Sequence, residues 1–201
     1  LQTTAKRDGE HYILNGAKMW ITNGAVSDTE LGDVFLVYAR TSDDRSKGIS
    51  LFLVEKGTPG FELGQKIKDK LGMRASTTAE LVFTDCRIPA ENLVGHEGDA
   101  VLHMMHNLEI ERVALAAMSL GIARRCVEVM NTYAKERKSF GKPLNSFGQI
   151  QKHIADSYAE YMAGKAYVYG LSNSLALDSA GNRLDSDGVK LYASVMGKNV
   201  A

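Results

Sequence analysis

Cysteine is nearly absent: Cys86 and Cys126 are the only two in 201 residues. That is too few for a disulfide framework and too scattered for a zinc site. A reducing compartment, cytosol or an organelle matrix, is therefore expected. Surplus charge is absent as well, because 24 Lys and Arg balance 24 Asp and Glu. A nucleic-acid partner held by excess positive charge is thereby excluded. The longest apolar stretch, residues 113–123, is far short of the roughly 20 residues a membrane span needs. No integral membrane segment is expected. Neither Gly-x-Gly-x-x-Gly nor Gly-x-x-x-x-Gly-Lys-Ser/Thr occurs, and no Ser sits in a nucleophile elbow, which weakens Rossmann and hydrolase readings.

What is present changes period near Pro89. Before it, β-branched and aromatic runs at 3–6, 11–14, 17–22, 34–40, 49–55 and 79–83 alternate with turn residues. Arg7-Asp8-Gly9-Glu10 joins the first pair, and Asn15-Gly16 carries a strong hairpin signal for the next. These predict an antiparallel sheet or barrel, without the crossover helices of a parallel sheet. After Pro89 the pattern is helical. Val101, Met104, Met105, Leu108, Leu115 and Met118 recur at helical spacing, and Gly141-Lys142-Pro143 breaks the run. Ser146 is placed to cap a second helix. Residues 182–186 read as a polar loop whose Asp185 or Ser186 caps a third. The fold class is α+β: a small antiparallel β-barrel or sheet domain over 1–93, then an antiparallel helical bundle over 94–201.

Three features bear chemistry, each with a plain alternative. His103 and His106, spaced i and i+3, read as surface histidines or as half of a helical metal site lacking its carboxylates. Trp20, the only Trp, ends a strand in Lys18-Met19-Trp20-Ile21-Thr22-Asn23-Gly24. It reads as a core plug, or as an aromatic wall with Thr22 beside it. Leu108-Glu109-Ile110-Glu111-Arg112 puts acids inside an apolar helix. They read as solvated charge, or as a desolvated base that Arg112, about 100° away, does not neutralise.

Gly9-Glu10-His11-Tyr12-Ile13-Leu14-Asn15-Gly16 with Trp20-Ile21-Thr22-Asn23-Gly24 resembles the middle β domain of acyl-CoA dehydrogenases. The likeness continues through Phe52-Leu53-Val54-Glu55-Lys56-Gly57, Lys70-Leu71-Gly72-Met73-Arg74 and Phe83-Thr84-Asp85-Cys86. In the helical half it takes in Glu111-Arg112, Glu136-Arg137-Lys138-Ser139-Phe140-Gly141 and Gln151 with Ala155-Asp156, so that it covers essentially the whole chain. Within that family the isovaleryl branch is most similar, through Glu111, Val94-Gly95-His96-Glu97 and Ala166-Tyr167-Val168-Tyr169.

The resemblance implies FAD-dependent α,β-dehydrogenation of a short branched acyl-CoA, with electrons passed to electron-transfer flavoprotein. Most members take the catalytic base from a segment past this chain; the isovaleryl and long-chain branches take it from the position of Glu111. Trp20, Ile21 and Thr22 would line the flavin ring. Arg137 would meet the FAD diphosphate of a neighbouring subunit, with Phe140 packing beside it. Ser46 and Lys47 would touch the CoA portion, and Glu109, Ile110 and Arg112 would line the substrate. A homotetramer is implied, in the mitochondrial matrix of a eukaryote or the cytoplasm of a bacterium. With no initial Met and a helix running into Ala201, the chain is expected to lack the family's N-terminal helical domain and last C-terminal part. It departs from the family at Gly148, where Gln is usual, at Leu102, where the isovaleryl branch has Tyr, and in a longer 25–33 loop. Two rival readings are a relative of other acyl specificity or with oxygen as acceptor, and a non-catalytic assembly module.

Overall fold

The computed structural model describes residues 2–175 and 183–201. Two compact units result, Leu1–Met104 and Met105–Ala201.

The first unit is one sheet of seven strands: β1 (Thr4–Asp8), β2 (His11–Thr22), β3 (Val34–Arg40), β4 (Ile49–Glu55), β5 (Phe61–Lys66), β6 (Thr78–Pro89) and β7 (Leu93–Val94). Their order is β5-β6-β2-β1-β3-β4-β7. The sheet is open, not a barrel. It is also mixed, since β1 meets β3 in parallel at Thr4 and Arg40 while the other pairings are antiparallel. Tyr12, Leu14, Val37, Phe52, Val54, Phe61, Leu81, Phe83 and Ile88 form its buried core. The Tyr12 hydroxyl donates to Glu97 Oε2 at 2.7 Å.

Asn15-Gly16 does not turn. It lies inside β2, where the pairing with β6 slips between Leu14 and Gly16. Asn15 Nδ2 donates to Asp85 Oδ1 at 3.0 Å, and the Asp85 N–H donates back to Asn15 Oδ1 at 2.9 Å. Gly16 has φ +131°, and a Cβ there would lie 2.8 Å from the Thr3 Cα. The dipeptide is thus a bulge pinned on both sides, and glycine serves close backbone approach. The hairpin expected just before it is real, with Asp8 opposite His11 and Gly9 at φ +59°.

The second unit is built on α1 (Ala100–Glu136), whose first five residues belong to the first unit. A two-stranded hairpin, β8 (Lys138–Ser139) and β9 (Lys142–Pro143), follows, then α2 (Gly148–Ser174) and α3 (Arg183–Val200). Val113, Ala116, Leu120 and Ala123 of α1 pack with Val168 and Leu171 of α2 and Val189, Ala193, Met196 and Val200 of α3. Gly164 of α2 abuts both Leu120 and Met196, while Tyr167 reaches Gly188 and Glu160 faces Tyr192 and Asn199. The array therefore runs up, down and up.

Three helical details differ from expectation. Met105, Leu115 and Met118 are exposed, because the buried stripe of α1 runs through Glu109, Val113 and Ala116 instead. Ser146 lies in a 3-10 turn and caps nothing; Phe147 is the N-cap of α2, without a side-chain bond. Residues 183–186 are helical, so Asp185 and Ser186 sit inside the first turn of α3, while Asn182 falls outside the described residues. Among the described residues no helix is long and apolar enough to cross a membrane.

Candidate functional site

The end of β2 is irregular, and the irregularity exposes its aromatic. Pairing with β6 slips again between Lys18 and Ile21. Within that bulge Trp20 has φ +66° and is 69% exposed. A bulky side chain in the left-handed region costs of order 1–3 kcal/mol, and an indole in water gains nothing for the core. The core-plug reading fails. Ile21 is half-buried against the sheet core, and Thr22, paired with Thr78, is exposed. Trp20 and Thr22 thus share an open strand end that Ile21 anchors.

Ser46 and Lys47 lie in the β3–β4 connection, whose shape Asp44 dictates. Its Oδ1 accepts from the Ser46 and Lys47 N–H groups, both at 2.7 Å, and from Ser46 Oγ at 2.8 Å. These bonds hold the Asp44 carboxyl below the usual carboxylate range, the Lys47 N–H contributing most. Two glycines close the loop. A Cβ at Gly48 would stand 2.1 Å from the Asp44 carbonyl oxygen, and one at Gly98 2.4 Å from that of Lys47. Gly98 also donates its N–H to the buried Ser50 Oγ at 2.9 Å. Sequence reasoning missed Asp44, Gly48 and Gly98; the Asp-x-Ser spacing was the available signal.

On α1, Glu109 and Glu111 separate cleanly. Glu109 is buried on the stripe that continues into Val113, whereas Glu111 is exposed and Ile110 half-buried. The dry cleft expected around Glu111 is not supplied by its own unit, since Ala114 and Leu115 are exposed beside it. Arg112 does not pair with Glu111. Its Nε lies 2.9 Å from Asp187 Oδ1 on α3.

Arg137 follows the last residue of α1 and is exposed. Three residues later the β8–β9 hairpin turns through Phe140 and Gly141, at φ +49° and +78°, with Ser139 opposite Lys142. Two central residues at positive φ make a type I′ turn, which favours Asn-Gly and disfavours Phe. Phe140 nevertheless stands there 94% exposed. Gly148, at the start of α2, has open space where a Cβ would project.

One cavity was not foreseen. Lys18, Ile21, Phe35, Val37, Tyr38, Leu81 and Met104 are among the residues around about 470 Å³ of largely apolar space in the first unit. Burial pushes the Lys18 ammonium down to about 8. Cys86, buried in β6 of the same sheet, has its thiol pushed up to about 11 by that burial, so it stays protonated at neutral pH.

Comparison with known proteins accounts for both units. The family description "Acyl-CoA dehydrogenase, middle domain" matches residues 1–86, and "Acyl-CoA dehydrogenase, C-terminal domain" matches 101–201. A mitochondrial isovaleryl-CoA dehydrogenase of Oryza sativa subsp. japonica is 41% identical over 191 residues, 94% of this chain and 45% of that protein. A short-chain-specific acyl-CoA dehydrogenase of Clostridium acetobutylicum is 39% identical over 202 residues, 99% of this chain and 51% of its own. The crystal structure of a probable acyl-CoA dehydrogenase from Mycobacterium abscessus superposes with a TM-score of 0.91 at 32% identity, covering 100% of this chain and 51% of that one. The chain spans about half the length of the relatives it matches.

Proposed function

Because this chain belongs to the acyl-CoA dehydrogenase family, we propose that it carries the middle and C-terminal portions of an FAD-dependent enzyme that desaturates a short branched acyl-CoA of isovaleryl type. The observation that carries the acyl assignment is Glu111. Identity alone does not separate the branches, since 41% to an isovaleryl enzyme and 39% to a short-chain one are nearly equal.

The residues present fit a flavin. Trp20 offers an open apolar plane held against its backbone preference, with the Thr22 hydroxyl beside it as a donor. Phe140 is a second aromatic presented at a strained turn, and Arg137 is a permanent planar cation of the kind that suits a diphosphate. FAD, when bound, supplies the acceptor for the hydride that leaves the β carbon. The protein does the rest. Glu111 takes the α proton onto its carboxylate, leaving the electron pair of that C–H bond to become the new double bond. Since Glu111 is exposed in its own unit, its desolvation has to be completed by the arriving thioester, which would strengthen the base only when substrate is bound. Ser46 and Lys47, on a loop fixed by Asp44, meet the CoA portion; Glu109, Ile110 and Arg112 flank the acyl group.

Electron-transfer flavoprotein is the proposed electron acceptor, and a homotetramer the proposed assembly. The location would be the mitochondrial matrix in a eukaryote or the cytoplasm in a bacterium. An exposed apolar face on α1, through Leu115, Met118, Ile122, Val129 and Tyr133, supports burial against further protein. A second reading, a binding module without turnover, is favoured by Gly148 alone. The intact protein decides between them: flavin absorbance on purification, then its anaerobic bleaching by isovaleryl-CoA. Flavin that isovaleryl-CoA bleaches promptly supports the isovaleryl dehydrogenase; bleaching by a straight-chain acyl-CoA alone moves the specificity to another branch, and bound flavin that neither thioester reduces favours the module.

A further inference from the structure

The sheet of the first unit loses its middle strand partway along. β1 pairs with β2 only as far as Thr4 opposite Asn15, and it meets β3 at Thr4 and Arg40 alone. Past those points β2 and β3 run on without it. The cavity of about 470 Å³ touches both of them there, with Lys18 and Ile21 of β2 and Phe35, Val37 and Tyr38 of β3 in its wall.

We propose that this cavity is a binding site for a small apolar monocarboxylate, whose carboxylate meets Lys18 and whose carbon chain fills the space between β2 and β3. Ligand pockets run to about 300–1,000 Å³ and are mostly apolar, with a few placed polar groups. Lys18 is such a group. It is half-buried, and among the described residues it makes no hydrogen bond or ion pair. By contrast, Lys56, Lys66 and Lys68 each meet a carboxylate, and Lys70 donates to Thr78 Oγ1. An ammonium drawn out of water without a counter-charge is costly, and burial accordingly pushes Lys18 down to about 8. An entering carboxylate offsets that cost, while its chain removes apolar wall from water.

Among the described residues no carboxylate of the protein takes that place. Glu80 precedes Leu81 of the wall but turns to β5, where its Oε2 would lie 2.6 Å from a Cβ at Gly64. Arg40, beyond Tyr38 on β3, donates to the Ser42 carbonyl, and His103, beside Met104 of the wall, approaches Gly95. The Tyr38 hydroxyl is the other polar side-chain group on the wall. An anion in this cavity therefore answers to one cation. The thioester of the proposed reaction bears no charge at its acyl end, so the complement of Lys18 is a free acid.

The test is calorimetric titration of the intact, FAD-loaded protein with octanoate at pH 8, in two buffers of different ionisation enthalpy, with acetate as control. One site is expected. Each octanoate should bring uptake of about half a proton, because a carboxylate beside Lys18 draws its amine fully into the charged form. Octanoate should bind more tightly than acetate, by up to about fourfold for each methylene buried. Lys18→Met should weaken octanoate at least about tenfold. Leu36→Asp, on the exposed part of the wall, should also weaken it by giving the ammonium a partner of its own, and circular dichroism shows that both variants fold. Saturating enoyl-CoA should leave octanoate binding unchanged. The proposal is overturned if octanoate binds no better than acetate, or if Lys18→Met binds it as well as wild type does. Displacement by enoyl-CoA also overturns it, since the acid would then occupy the site of the proposed reaction.

Discussion

Trp20 and Phe140 are the two most exposed aromatic side chains among the described residues, and both sit at positive φ. Each therefore gives up burial and backbone comfort together, a combination that pure folding would not retain. The strain makes a prediction with opposite signs. Trp20→Asn places a residue that tolerates the left-handed region at that position, so the flavin-free protein should gain about 1 kcal/mol in chemical denaturation. The same variant should lose FAD affinity in fluorescence titration. A variant that gains or loses both together would remove the case for Trp20 as a cofactor wall. Lys18 offers a second check. Below about pH 8 both folded and unfolded chains carry its proton, and the folded state bears the whole cost of burying that charge. Between about 8 and its ordinary value near 10.5 the unfolded chain binds more proton, so stability rises with pH. Lys18→Met should exceed wild type in thermal midpoint at pH 7, with the gap closing toward pH 10. A gap independent of pH would contradict the buried ammonium.

At the scale of elements, the hairpin β8–β9 and the start of α2 bring Arg137, Phe140 and Gly148 into one continuous segment. Space at Gly148 is open, so Gly148→Gln should be accommodated and should tighten FAD binding in the intact protein, with little effect on folding. Equal or weaker flavin retention would show that the segment does not need a glutamine. Only the break between α1 and α2 was legible in sequence, because Gly141-Lys142-Pro143 is local punctuation; the β8–β9 hairpin within it was unread, and the cap expected at Ser146 falls to Phe147. Asn15-Gly16 was misleading for the opposite reason: its side chain and its missing Cβ answer to Asp85 and Thr3, which are distant in sequence. The stripe of α1 failed similarly. That helix has two apolar faces, and periodicity alone does not say that Val113 and Ala116 are covered while Leu115 and Met118 are not. The short strands β5 and β7 were unread; β5 has Gly64 at its centre and is secured by Phe61 stacked on Phe83 at 4.8 Å.

For the molecule as a whole, the sheet and the helices were evident from the switch of period at Pro89, whereas roles for single residues came through family likeness. The exposed face of α1 should be covered in the intact protein, and light scattering should report a tetramer; a monomer that still turned over would remove the need for intersubunit contacts at Arg137. The central claim concerns two glutamates two residues apart. Glu111 is exposed and Glu109 buried, yet the account assigns proton abstraction to Glu111. Stopped-flow flavin reduction by isovaleryl-CoA, compared between Glu111→Gln and Glu109→Gln in the intact FAD-loaded protein, tests it directly. The account predicts a loss of at least about 10²-fold for Glu111→Gln, with FAD and acyl-CoA binding retained, and a far smaller loss for Glu109→Gln. Equal rates in the two variants would contradict it.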